Sequence, residues 1–180
     1  MSDAINRILS RAAQARKDHR SADAIPDLLE AISLAQLAGM QLELARALTA
    51  LGQIEHDLNQ LDVARKHYEK ALAIYRLLGD RLKLAHTVRH VADLHRQQGH
   101  VDQADSCYQQ ALAIYRGDRK TWPLDLANTI RGFALLKEKS GSAKQAMPLW
   151  QEAKELYAAV GVPDGVAESS RRLALLAAER

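Results

Sequence analysis

His86 and His90 stand four residues apart, with Asp93 one turn further on and His95 and His100 close behind. Two imidazoles at i and i+4 share a helix face and can grip one metal ion. No third histidine falls on that face, and the same spacing arises on any hydrated helix, so no metal is assigned. Cys107, the only cysteine, lies between Ser106 and Tyr108 in a stretch that reads as a packing helix. It is read as a small filler rather than a nucleophile, and it can form no internal disulfide. The chain has no GxSxG, P-loop, HExxH, CxxC pair or GxGxxG, and no paired carboxylates in an apolar setting. No catalytic residue and no cofactor follow, and the chain is read as no enzyme.

Charge narrows the partners. Twenty-five basic against 22 acidic residues give a net +3, far from the concentrated cationic load that phosphate backbones demand, so nucleic acid is not expected. The opening MSDAINRILS lacks a basic segment followed by an apolar run, and no stretch approaches the roughly 18 apolar residues of a membrane span. The expectation is a cytoplasmic protein with no membrane partner.

What positions these residues is a repeat. The hexapeptide ALAIYR occurs at 71–76 and again at 111–116. Around it, a pattern of Ala, three residues, a large side chain, two residues, Ala appears four times: Ala24/Leu28/Ala31, Ala64/Tyr68/Ala71, Ala104/Tyr108/Ala111 and Ala146/Trp150/Ala153. The leading alanines are spaced by 40, 40 and 42 residues, the mark of a stacked repeat. Offsets of four and three put the three side chains on one helix face, where alanine admits a neighbouring backbone and the bulky residue fills the space beside it. Upstream of each signature a second helical pattern ends at a polar or glycine turn. Leu44, Leu48, Leu51 and Leu58 carry it, then Leu84, Val88 and Val91, then Leu126, Ile130 and Phe133, and more weakly Ile5, Ile8 and Ala12. Each repeat is therefore a helix pair. The stretch VAESSRRLALLAAER aligns with a further first helix that has no partner after it, and reads as a C-terminal cap.

The small pair Leu51-Gly52 in the first helix, with Ala64/Tyr68/Ala71 in the second, resembles the tetratricopeptide repeat family. The longer 40–42-residue unit is similar to the branch that includes kinesin light chain. The resemblance implies an all-α, right-handed α-solenoid of four antiparallel helix pairs plus a C-terminal capping helix. The expected layout is one domain over 1–180, with repeats at about 3–39, 40–79, 80–120 and 121–161 and the cap at 163–180. GDRKTWP brings a two-residue excess between the third and fourth repeats, where Trp122 either covers the core edge, the commoner fate of a large aromatic, or contacts a partner.

In that family the first helices line a concave side. Carried onto this sequence, the partner-binding groove takes in Arg46, Thr49, Gln53, His86, Arg89, Asp93, Arg96, Asn128, Arg131 and Arg171. One column of equivalent positions reads Thr49, Arg89, Arg131, Arg171, and stacked arginines suit carboxylates. Local pairs Arg89 with Asp93 and Arg171 with Glu168 are the plainer account of the same residues. The family's dicarboxylate clamp does not transfer, because Thr49, Gln53, His90, Asn128 and Gly132 stand where its lysines and asparagines belong. The expected role is a non-catalytic protein–protein interaction module, an adaptor whose peptide-binding groove takes an acidic partner segment. The alternative is a scaffold or homo-oligomer acting through its ends or loops, since Ile5, Ile8 and Leu9 of the first helix are expected to lie exposed.

Overall fold

The computed structural model describes residues 2–178. Among the described residues nine α-helices follow one another: α1 (Ser2–Lys17), α2 (Ile25–Leu37), α3 (Gln41–Asp57), α4 (Leu61–Leu78), α5 (Arg81–Gln98), α6 (Val101–Gly117), α7 (Pro123–Lys139), α8 (Ala143–Ala159) and α9 (Pro163–Ala178), with a 3-10 turn at Ser21–Ala24. No strand occurs among the described residues. Residues 179 and 180 of the expected cap lie outside them. The helices stop where left-handed backbone is available. Gly79 caps α4 at φ 68°, and Asn59, a residue whose short polar side chain tolerates that region, does the same after α3 at φ 60°. Pro123 and Pro163 open α7 and α9, where the N–H that proline lacks would have no helical acceptor.

The chain gathers into two compact units that divide between His90 and Val91, inside α5. In the first, α1 packs against both α2 and α3, α2 against α3, and α3 against α4. Ile5, Ile8, Ala12, Leu28, Ala31, Leu48, Leu51, Ile54 and Tyr75 fill the space between them. This corrects the expectation of an exposed apolar edge. Ile5 and Ile8 are 0% and 6% exposed, and Leu9 packs partly buried against the same cluster, because α2 and α3 between them use the apolar stripe of α1.

In the second unit α6 packs on α7, α7 on α8 and α8 on α9. Ala104, Tyr108, Leu112, Ile130, Phe133, Leu136 and Tyr157 form one cluster, and Ala134, Ala146, Trp150 and Leu176 another. All twelve residues of the four alanine signatures are buried. Within ALAIYR the apolar positions point inward while Ala73, Arg76, Ala113 and Arg116 are exposed, so the hexapeptide is a packing unit. Trp122 departs from expectation: it is 60% exposed and does not cover the core. The connection that carries it runs from Asp118 to Trp122 and is pinned by hydrogen bonds at both ends.

Candidate functional site

The first helices of the pairs carry the polar side chains that the sequence singles out. In the first unit α1, α3 and α5 are joined by one hydrogen-bonded chain. Arg16 on α1 donates to both oxygens of Asp57, at 2.7 and 3.1 Å, and to Gln53 Oε1 at 2.8 Å. With its oxygen so engaged, the Gln53 amide turns its nitrogen to α5, 3.1 Å from His86 Nε2 and 2.9 Å from His90 Nε2. An amide N–H can only donate, as can the guanidinium, so the His90 Nε2 that faces both accepts and that imidazole is neutral, with its proton on Nδ1; His86 Nε2 lies 3.2 Å from the same nitrogen. The Arg89 guanidinium lies 2.8 Å from the same His90 nitrogen. His90 also stacks on Tyr68, with ring centroids 5.5 Å apart and an 11° tilt. Burial first, then the Arg89 charge and His86, hold the His90 imidazole well below its ordinary pKa. The histidine pair that opens the sequence argument thus serves a helix–helix contact, with His90 as its acceptor. Among the described residues no group of three or more His, Cys, Asp or Glu side chains is placed to hold a metal ion.

Arg46 is engaged elsewhere in this unit, donating to Asn6 Oδ1 at 2.7 Å. Thr49 is buried, and its hydroxyl donates to the Ala45 carbonyl of its own helix. Glu55, also buried, meets His67 of α4 at 2.6 Å.

In the second unit Asp93 and Arg96 converge on the buried Tyr108. The phenol donates to Asp93 at 2.6 Å and accepts from Arg96 Nε at 3.1 Å. Burial raises the phenol pKa, and the Asp93 carboxylate raises it further. Asn128 accepts from the Tyr157 hydroxyl at 2.8 Å. Arg131 of α7 forms a fork with Glu168 of α9, Nε at 2.5 Å and Nη2 at 2.8 Å. The pair holds Glu168 below the usual carboxylate range and raises Arg131. Even so, the Arg131 side chain stays 40% exposed. Arg171 is exposed on α9, three residues beyond Glu168. Glu138 accepts from the Trp150 indole N–H and from Arg172 at 3.2 Å, tying α7 to both α8 and α9. Cys107 is half-buried and burial raises its thiol pKa, the opposite of what activates a nucleophile.

Sequence reasoning picked Gln53, His86 and Arg89 singly, and the structure brings them together around His90. It likewise joins Asp93 to Arg96 through Tyr108. Arg16 was missed, and Glu168, paired with Arg171 in the sequence reading, is held by Arg131 instead, as Asp57 is held by Arg16. The available signal was that each stands about 40 residues from a side chain it could meet on the next first helix.

A sequence model described as Tetratricopeptide repeat matches residues 4–77 and 43–117. No curated protein matches the chain. Among solved structures, BtubC (BKLC) from P. vanneervenii superposes with a TM-score of 0.74 at 20% identity, over 87% of this chain and 64% of that one. The chain thus spans under two thirds of that protein. Nearly identical TPR-like repeats assigned to a kinesin light chain of Podosopora anserina superpose with a TM-score of 0.70 at 14% identity, over 97% and 95% of the two chains. At these identities the likeness is one of fold: an all-α helical repeat.

Proposed function

The chain belongs to the tetratricopeptide repeat family, and from that premise we propose that it is a non-catalytic protein–protein interaction module that binds an acidic segment of a partner along the polar faces of its first helices. The observation that carries this reading is the Arg131 fork. A guanidinium 40% open to solvent already takes a carboxylate in two-pronged geometry, and Arg171 lies exposed on the helix that supplies that carboxylate. Planar carboxylate recognition of this kind is what arginine does better than lysine. An incoming acidic side chain exchanges with Glu168 at Arg131 and adds a contact at Arg171. Asp93, Arg96 and Asn128 line the same unit's first helices, and Arg46, Thr49, Gln53, His86 and Arg89 are the corresponding positions of the other unit.

Binding of a panel of glutamate-rich peptides, followed by calorimetry, tests this. Arg131→Glu should abolish binding and Arg171→Ala should weaken it by roughly 1.5–3 kcal/mol, the range for hydrogen bonds to charged groups. Arg65→Glu, on α4, should leave it intact. Added salt should weaken the complex, because exposed charges are screened over about 8–10 Å. Equal binding by an Arg131→Ala/Arg171→Ala double variant would sink the proposal.

A further inference from the structure

We infer that Trp122 and the cations before it form a second docking point, independent of the first-helix faces, for a partner protein that offers an apolar pocket edged by carboxylates. Three observations converge on this loop. The first is a comparison inside the chain. Trp122 stands immediately before Pro123 and α7 as Val162 stands before Pro163 and α9, 40 residues on. Val162 is partly buried against the core cluster, whereas Trp122 is 60% exposed. The second unit can enclose a tryptophan, since Trp150 is 0% exposed. Trp122 therefore stands outside a core that takes the equivalent residue elsewhere, and an exposed indole forgoes the burial that usually draws large aromatics inward.

The second observation is that the loop is held rather than slack. Lys120 N–H donates to Asp118 Oδ1 at 2.9 Å and Thr121 N–H to the Asp118 carbonyl at 3.1 Å. The Thr121 hydroxyl donates to the Tyr115 carbonyl at 2.7 Å, and the Trp122 carbonyl accepts from Asp125 N–H at 2.9 Å. A pre-ordered loop backbone loses little freedom on binding, which favours the side chain it presents as an anchor. The connection from Asp118 to Trp122 is also longer than the ones that lead into α3, α5 and α9.

The third is charge. Arg119 and Lys120 are exposed three and two residues before Trp122, and they suit a pocket that is acidic at its rim. Tryptophan and arginine are the residues that most often dominate protein–protein contacts. A single aromatic with two cations falls short of the four to eight basic residues of an anionic-lipid site and of the many phosphate contacts of a nucleic-acid site.

The test uses the full chain and defined probes: a library of 12-residue acidic peptides with leucine, isoleucine or methionine at varied positions, and the same library with lysine for glutamate. Binding is read as a blue shift of the exposed tryptophan's emission and by calorimetry. The expected result is saturable binding of a subset of acidic peptides, at least tenfold weaker for Trp122→Ala and for the double variant Arg119→Glu/Lys120→Glu, and unchanged for Arg65→Glu. Melting temperatures establish that the variants are folded, and the charge variant decides the matter should Trp122→Ala fail to fold. No shift with any acidic peptide, or equal affinity in both loop variants, overturns the inference. So does a shift produced only by a single-stranded oligonucleotide or by phosphatidylserine vesicles. Peptides that lose binding with Arg131→Ala and keep it with Trp122→Ala would leave the first-helix proposal standing and remove this one.

Discussion

Gly132 and Gly117 show how one residue type does opposite work according to what faces it. A Cβ built at Gly132 would lie 2.7 Å from the Tyr108 hydroxyl and 2.8 Å from its ring, whereas nothing lies within 4 Å of one built at Gly117. Tyr108 cannot step aside cheaply, because it is buried and bonded to both Asp93 and Arg96. Gly132→Ala should therefore destabilise by roughly 1–3 kcal/mol through overpacking, outweighing the gain of about 1 kcal/mol that alanine brings to a helix. Gly117→Ala, at the end of α6, should be neutral or stabilise by up to about 1 kcal/mol. Denaturant midpoints of the two variants decide; a stabilised Gly132→Ala would refute the close approach. Gly165 meets Tyr157 of the preceding helix in the same way, and Gly52 meets Tyr68 of the helix that follows it. Sequence reading caught Gly52 as part of a small-residue pair. It left Gly132 and Gly165 unexplained, because their aromatic partners belong to the preceding second helix, a contact that spacing within one helix does not display.

At the scale of elements, the helix pairs were legible because each apolar stripe keeps a 3.6-residue period and each turn carries glycine or a polar cluster. The side-chain chain from α1 through α3 to α5 was not, since Arg16, Gln53 and His90 share no local pattern. That chain gives the fold a pH dependence. His90 accepts at Nε2 and faces Gln53, Arg89, His86 and Tyr68, with Arg16 and His56 adding to the cationic field. Its folded pKa is depressed below the ordinary 6.5, so the unfolded chain binds the proton first. The contribution is complete above about pH 6.5 and is lost as pH falls below that toward the folded value, with a slope of at most about 1.4 kcal/mol per pH unit. Glu168, held below its ordinary 4.5 by the Arg131 hydrogen bond, acts in a lower window. Its contribution is present above that value and fades as the carboxylate protonates. Urea midpoints measured from pH 8 to 5 should fall for the parent protein and stay nearly flat for His90→Gln. Parallel curves for the two would remove His90 from the account.

For the molecule as a whole, what the sequence displayed best was its recurrence, and what it displayed least was the outcome at positions that break it. Ile5 and Ile8 looked like an open edge because no repeat precedes them, yet α2 and α3 cover them. Trp122 looked like a cover, yet the extra residues before it carry it outward. The helix after the last pair is the strongest remaining test of how a repeat array ends. Helix α9 packs on α8, and its Leu176 joins Trp150, Ala134 and Ala146 in one buried cluster. Gly165 lies against Tyr157. Glu168 and Arg172 tie α9 to Arg131 and Glu138 of α7. Stacked arrays need such an end because each repeat buries its apolar face only against a neighbour. Removing residues 163–180 should uncover Trp150 and Tyr157, at roughly 1.5–3 kcal/mol for each large side chain returned to water. The partly exposed ion pairs lost with them add a smaller amount. The truncated chain should melt at a lower temperature or aggregate, and its Trp150 emission should shift to the red as water reaches the indole. In a Trp122→Phe background that emission reports Trp150 alone. An unchanged melting temperature with unshifted emission would show that α9 closes nothing.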